Sequence, residues 1–132
     1  VKKYGSQSIL LSIQAKKVSK TSWEAYMNFG RDKTSMDVME WVKKMSEYNF
    51  GELLLTSIDA DGLSNGFDVE LYERVCKIIN IPIIACGGFG KINHIKELKK
   101  HANIDAISIS KALHYEKIKI YEIKDFVKKN NE

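Results

Sequence analysis

The chain has 132 residues, of which 44% are hydrophobic and 29% are charged, and its formal net charge is +4. This length and composition suit a single globular domain and argue against disorder. The small positive charge gives no basis for nucleic-acid binding, and no apolar run approaches the roughly 18 residues of a membrane span, so we expect neither partner.

The first predicted strand covers residues 8–13, within the apolar segment SILLSIQAKK. In WEAYMNFGRDKTS, apolar and polar residues alternate, which is typical of extended chain, and we predict a small hairpin or loop over the mouth of the sheet. A helix over residues 37–48 follows, capped by Ser35 or Asp37. Its apolar residues recur at helical spacing and predict a buried stripe of Val38, Trp41, Val42 and Met45.

The second predicted strand covers residues 52–57, and Asp68 caps a helix that ends near residue 79, with Leu71, Val75, Ile78 and Ile79 facing inward. Pro82 opens the third strand, where a missing backbone donor is tolerated. The remaining elements are a helix at 92–101 that buries Ile95 and Leu98, a strand at 105–109, a helical turn at 111–114 and a helix at 120–129.

This alternation predicts an α/β fold of four βα units, a (β/α)4 half of a TIM (β/α)8 barrel, in one domain over residues 1–132. A closed barrel has no free strand edges, whereas half of one leaves two unpaired. Because the first and last predicted strands carry no protective charge in their middles, we expect the barrel to be completed by a homodimer or by a separate N-terminal half.

Ligands of such folds bind at the carboxyl ends of the strands. Gly87 and Gly88 follow the third predicted strand, and Ser110 and Lys111 follow the fourth. Glycines let backbone N–H groups approach an anion, and the lysine adds a cation, so the pattern indicates a phosphate site. A tight turn beside a solvated lysine is the alternative interpretation of the same residues.

Acidic residues follow the second predicted strand in DADG. Asp61 and Gly62 are candidates for ligand binding, whereas Asp59 also suits a turn or a cap. Neither the cysteines nor the histidines show metal-ligand spacing, so we predict no metal and no cofactor. Two unpaired cysteines, Cys76 and Cys86, favour a reducing, cytoplasmic setting.

Four segments together resemble one known family: GSQSILLSIQAKKV, GELLLTSIDADGLSNGFDVEL, IPIIACGGFGKINH and DAISISKALHYEKIKIYEIKDFVKK. They are similar to the C-terminal half of the cyclase subunit of imidazole glycerol phosphate synthase, over nearly the whole chain. The resemblance implies a (β/α)8 barrel of histidine biosynthesis that receives ammonia from a glutaminase subunit. It also implies a bis-phosphorylated ribulosyl formimino-aminoimidazole carboxamide ribonucleotide as substrate, which is cyclised and cleaved to imidazole glycerol phosphate.

Carried over residue by residue, the resemblance implies a phosphate site at Asp61, Gly62, Gly88, Ser110 and Lys111. It places Thr56 and Cys86 in the lining of the pocket, and Gly30 and Arg31 on a loop that covers it.

Gln14 is the main departure from the family, whose catalytic aspartate occupies this position in IDAKR where this chain reads IQAKK. An amide neither takes nor gives a proton at neutral pH. The family's other catalytic aspartate belongs to the first half-barrel, so we expect this chain alone to lack turnover. A phosphate-binding homodimer without catalysis, and a divergent subunit for surface-sugar amidination, are the alternative functions.

Overall fold

A computed structural model describes residues 1–130, so the last two residues of the predicted domain, 131 and 132, lie outside the described residues. The strands in this range are β1 (Leu10–Lys17), β2 (Trp23–Met27), β3 (Asp32–Asp37), β4 (Glu52–Ser57), β5 (Ile83–Cys86) and β6 (Ala106–Ser108). The helices are α1 (Val38–Ser46), α2 (Val69–Cys76), α3 (Ile92–His101), α4 (Lys111–His114) and α5 (Ile120–Lys129), and a short 3-10 turn at Ser6–Ser8 precedes β1.

Residues 1–130 form one six-stranded sheet in the order β3-β2-β1-β4-β5-β6. Strands β1, β4, β5 and β6 are mutually parallel, and a helix follows each of the last three directly. The predicted parallel sheet of alternating strands and helices is therefore confirmed. None of the helices in this range is long and apolar enough to cross a membrane.

The two faces of the parallel sheet differ in burial. On β4, Leu53, Leu55 and Ser57 are fully buried, whereas Leu54 and Thr56 between them are only half-buried. Successive side chains of a strand point to opposite faces, so one face packs under the helices and the other is open. In a closed barrel the open face would be the interior.

Helix α1 begins where its sequence predicts. The carboxylate of Asp37 accepts hydrogen bonds from the backbone N–H groups of Met39, at 2.8 Å, and Glu40, at 3.1 Å. Asp37 rather than Ser35 is therefore the cap. In the predicted stripe, Val38 and Val42 are fully buried, and Trp41 and Met45 are half-buried against the core.

Helix α2 is shorter than predicted. Asp68 caps it as expected, accepting a hydrogen bond from Leu71 N, but the helix ends at Cys76. Ile79 is buried in the core, whereas Ile78 is 37% exposed. The inward placement of Ile78 was wrong because the helical periodicity stops before that residue.

The hairpin formed by β2 and β3 is confirmed: its strands extend the sheet beside β1, and its tip at Gly30 packs over Gln14 and Ile58 on the open face. Strand β2 pairs antiparallel with the second half of β1, from Gln14 opposite Tyr26 to Lys17 opposite Trp23. The fully buried Trp23 holds the hairpin there by donating its indole N–H to Asp68, at 2.8 Å. This pairing extends β1 to Lys17. We expected the edge of the first strand to be unpaired along its whole length, but within the described residues this holds only for Leu10–Ile13.

Candidate functional site

A row of polar side chains crosses the open face of the sheet near the carboxyl ends of its strands. Gln14, Thr56, Cys86 and Ser108 are register neighbours on β1, β4, β5 and β6. Residues in register on parallel strands point to the same face. The predicted position of Gln14 and the two predicted pocket residues therefore share one row.

A cleft opens beyond this row, where β4, β5 and β6 end. It brings together the five predicted phosphate-site residues Asp61, Gly62, Gly88, Ser110 and Lys111, together with Cys86. The cleft offers about 30 Å³ of free space, which suits roughly one water molecule. Residues from three consecutive strand ends thus converge on one small concave surface.

Lys111 spans this cleft. Lys111 is the first residue of α4, and its ammonium group donates a hydrogen bond to the backbone carbonyl oxygen of Gly62. The contact joins the loop after β6 to the loop after β4, although the two residues are 49 positions apart in sequence. Lys111 therefore brings a positive charge to the lining of the cleft.

Gly88 is required by the close approach of two loops. Its φ is 102°, in the region that L side chains rarely adopt. The carbonyl of Gly88 accepts a hydrogen bond from Gly66 N at 2.8 Å, and a Cβ at position 88 would collide with Gly66 O and lie 3.1 Å from Ala60 Cβ. The tight turn therefore exists, and the same turn forms one wall of the cleft.

Tyr72 fixes the strands beneath the cleft. Its fully buried hydroxyl accepts a hydrogen bond from Cys86 N and lies 2.8 Å from Cys86 O and 3.0 Å from Leu55 O, which share its proton. Burial raises the pKa of Tyr72 far above its ordinary value. The side chain stays protonated near neutral pH and bridges the ends of β4 and β5.

Asp59 is bound elsewhere. Its carboxylate accepts hydrogen bonds from Lys17 N and, at 2.7 Å, from Lys16 Nζ, so it ties β4 to β1. Burial by itself would raise the pKa of Asp59, but these hydrogen bonds outweigh it and hold the pKa below the ordinary value. Asp59 does not line the cleft, which favours its structural interpretation over a catalytic one.

The remaining predicted residues lie at the β1 side of the open face. Gly30 lies at the tip of the hairpin, with φ of 77°, and packs over Gln14. The approach is close, since a Cβ added at Gly30 would lie 3.0 Å from Gln14 Oε1. The exposed Arg31 follows it, with its backbone N–H bonded to Met27 O. Thr56 lies between Gln14 and Cys86, and neither Thr56 nor Arg31 lines the cleft.

Sequence reasoning missed four residues of the cleft lining: Ser64, Phe89, Ser108 and Ile109. Ser108 alternates with Ser110, and this period of two could have indicated it. Ser64 and Phe89 lie in loops and carry no periodic signal. Within residues 1–130, no three histidine, cysteine or acidic side chains are grouped so that they could hold a metal ion.

Comparison with known proteins gives one family match, to the model described as histidine biosynthesis protein, over residues 1–119. The chain is 41% identical over 130 residues to imidazole glycerol phosphate synthase subunit HisF of Hydrogenobaculum sp., covering 98% of this chain and 52% of the relative. It is 40% identical over 127 residues to the Clostridium botulinum subunit of the same name, and 43% identical over 128 residues to that of Prochlorococcus marinus, covering 96% of this chain and 50% of the relative in both cases.

The chain therefore spans about half the length of the curated relatives that it matches. This ratio fits the half-barrel architecture of the sheet. The names of these relatives give no support to a stand-alone phosphate-binding homodimer or to a subunit for surface-sugar amidination.

Proposed function

The chain belongs to the histidine biosynthesis protein family, and we propose that it forms half of a cyclase-type (β/α)8 barrel and holds one phosphate group of the substrate. One observation carries the proposal: Asp61, Gly62, Gly88, Ser110 and Lys111 come from three separate strand ends and line one cleft. Phosphate groups are recurrently bound at this end of such barrels.

The groups of the cleft suit a phosphate ester. The ammonium of Lys111 and the hydroxyl of Ser110 donate hydrogen bonds, and charge-assisted bonds of this kind are short and strong. The ammonium of Lys111 now donates to Gly62 O, and a phosphoryl oxygen entering the cleft would take this hydrogen bond in its place. The carboxylate of Asp61 cannot donate, and its role is to accept a hydrogen bond from a hydroxyl next to the ester.

We extend the proposal to the activity of the complete barrel. The complete barrel would cyclise and cleave the bis-phosphorylated ribonucleotide to imidazole glycerol phosphate, with ammonia from a glutaminase subunit. The other half of the barrel would hold the second phosphate. Both cysteines of the described chain are free thiols, which supports a cytoplasmic location.

Gln14 limits what this half contributes to the chemistry. Its side chain lies in the polar row of the open face, where a general acid or base would reach the substrate. An amide cannot transfer a proton there at neutral pH. The proposal therefore assigns this chain a binding and positioning role, with proton transfer absent from position 14.

Phosphate binding is tested by isothermal titration calorimetry of the chain with inorganic phosphate. Lys111→Ala should weaken the affinity by about tenfold or more, because it removes a charge-assisted hydrogen bond worth roughly 1.5–3 kcal/mol. Lys117→Ala removes an equal charge from a residue outside the cleft and should leave the affinity unchanged. Failure of the unaltered chain to bind phosphate would refute the proposal.

The catalytic part is tested by reconstitution with the half of the Hydrogenobaculum relative that this chain does not match. Gln14→Asp should introduce formation of imidazole glycerol phosphate from the bis-phosphorylated substrate and ammonium, since it supplies a titratable carboxylate. Gln14→Asn is the matched control and should remain inactive. Equal turnover by the Asp and Asn variants would show that position 14 transfers no proton in this barrel.

A further inference from the structure

Ser64 lines the cleft from the loop between β4 and α2. Its φ of 60° lies in the left-handed region, which a residue other than glycine adopts at a cost. The loop is fixed in this position by the hydrogen bond from Gly66 N to Gly88 O, and by the absence of a side chain at Gly90. A Cβ at Gly90 would lie only 2.8 Å from Ser64 Cβ.

The hydroxyl group of Ser64 is unpaired. Its Oγ is buried, and it has no hydrogen-bond partner within residues 1–130. Buried hydroxyl groups normally have a partner, because losing water without replacing its hydrogen bonds is destabilising. A strained backbone that holds an unpaired hydroxyl against a cleft indicates a group whose partner arrives with the ligand.

Ser57 has a second unpaired hydroxyl, which a ligand in the cleft cannot reach. Its Oγ is also buried without a partner in the described chain, but the residue is fully buried at the end of β4 and does not line the cleft. A ligand in the cleft cannot satisfy that hydroxyl. Ser57 therefore serves as the matched control for Ser64, with the same side chain, the same unpaired state and no access to the ligand.

We propose that Ser64 is a further ligand-binding residue of this cleft, which donates its hydroxyl hydrogen to an oxygen of the bound phosphoryl group. The inference rests on the proposed function, because it takes the ligand to be a phosphate. A serine hydroxyl rotates freely to aim its single donor, and an anionic acceptor makes the hydrogen bond stronger. Ser64 thus adds a hydroxyl donor to the side chains of Ser108, Ser110 and Lys111, which also line the cleft.

The test compares Ser64→Ala with Ser57→Ala by calorimetry, using inorganic phosphate and glycerol 3-phosphate as separate ligands. Ser64→Ala should weaken both ligands by about tenfold, and by the same factor, because the contact is to the phosphoryl group that they share. Ser57→Ala should bind both ligands as the unaltered chain does. Thermal melting should show neither variant to be less stable, since each loses an unpaired buried hydroxyl.

Ser64→Gly provides a second variant that also relieves the backbone strain at φ of 60°. It should show the same loss of phosphate affinity with a raised melting temperature. Unchanged affinity in both Ser64 variants would overturn the inference, as would a loss confined to glycerol 3-phosphate. If Lys111→Ala loses affinity while the Ser64 variants do not, the proposed function stands and Ser64 is not a ligand residue; if the unaltered chain binds no phosphate, both fall.

Discussion

Two glycines of the cleft differ in what surrounds them. Gly62 and Gly88 both have positive φ, at 73° and 102°. A Cβ at Gly62 would have no neighbour within 4 Å, whereas one at Gly88 would collide with the carbonyl oxygen of Gly66. Conformational strain therefore applies to both positions, and steric exclusion applies only to Gly88 of this pair.

We expect Gly62→Ala to lower the free energy of unfolding by about 1–2 kcal/mol, the cost of a left-handed alanine. Gly88→Ala should cost at least about 3 kcal/mol and should also weaken phosphate binding, because the loops after β4 and β5 must separate. Urea denaturation and phosphate calorimetry measure the two effects. Equal costs for both substitutions would show that the approach of Gly66 to Gly88 is not tight.

The residues of the cleft were predictable to the extent that they follow strands. Gly88 and Lys111 come directly after predicted strands, and parallel strands end at one edge, so their convergence follows from the chain order. Ser64 lies seven residues beyond the end of β4 in a polar loop. Its burial depends on the contact with Gly90, which no local pattern reports.

At the scale of elements, the sequence predicted correctly the strands and helices whose bounds depend on residues close to them in sequence. The bounds of β4, α3, α4 and α5 match the sequence prediction. Strand β1 continues to Lys17, past its predicted end, since tertiary contacts stabilise the polar residues there. Lys17 lies 4.8 Å from the centre of the Trp23 ring on the neighbouring strand and pairs at 3.2 Å with Glu70, which is 53 positions away in sequence.

The start of α3 depends on a neutral histidine. Gly90 N donates a hydrogen bond to His94 Nδ1 at 3.1 Å, which the protonated imidazole cannot accept. Burial, followed by the charge of Lys91, lowers the pKa of His94 below its ordinary value of 6.5. The folded state thus binds protons less readily than the unfolded state at this residue.

We therefore expect stability from His94 to be fully present above about pH 6.5 and to be lost as the pH falls through its lowered pKa. His94→Asn keeps an acceptor oxygen but cannot titrate, so its melting temperature should fall less between pH 7.5 and pH 5. His114→Asn is the control, because this exposed histidine makes no contact with the Gly90 loop in the described chain. Parallel pH profiles for the unaltered chain and His94→Asn would contradict the expectation.

At the scale of the whole molecule, the open face of the sheet has the composition of an interior. Leu54 and Ile84 are half-buried there, next to the polar row that ends in the cleft. The free part of the β1 edge is limited to Leu10–Ile13, because the hairpin covers the rest. A partner strand can therefore extend the sheet at β1 only along those four residues. Both features suit completion by another half-barrel, whose strands would meet this edge and cover the open face.

Substitutions of two neighbouring leucines of β4 test folding and assembly separately. Leu55 faces the helices and is fully buried, whereas Leu54 faces the open side. Leu55→Glu should abolish folding, because it buries an unpaired charge in the core. Leu54→Glu should keep the circular dichroism spectrum of the unaltered chain, yet prevent a 1:1 complex with the unmatched half of the Hydrogenobaculum relative in sedimentation velocity. A complex formed equally well by Leu54→Glu would mean that the open face is not the surface that closes the barrel.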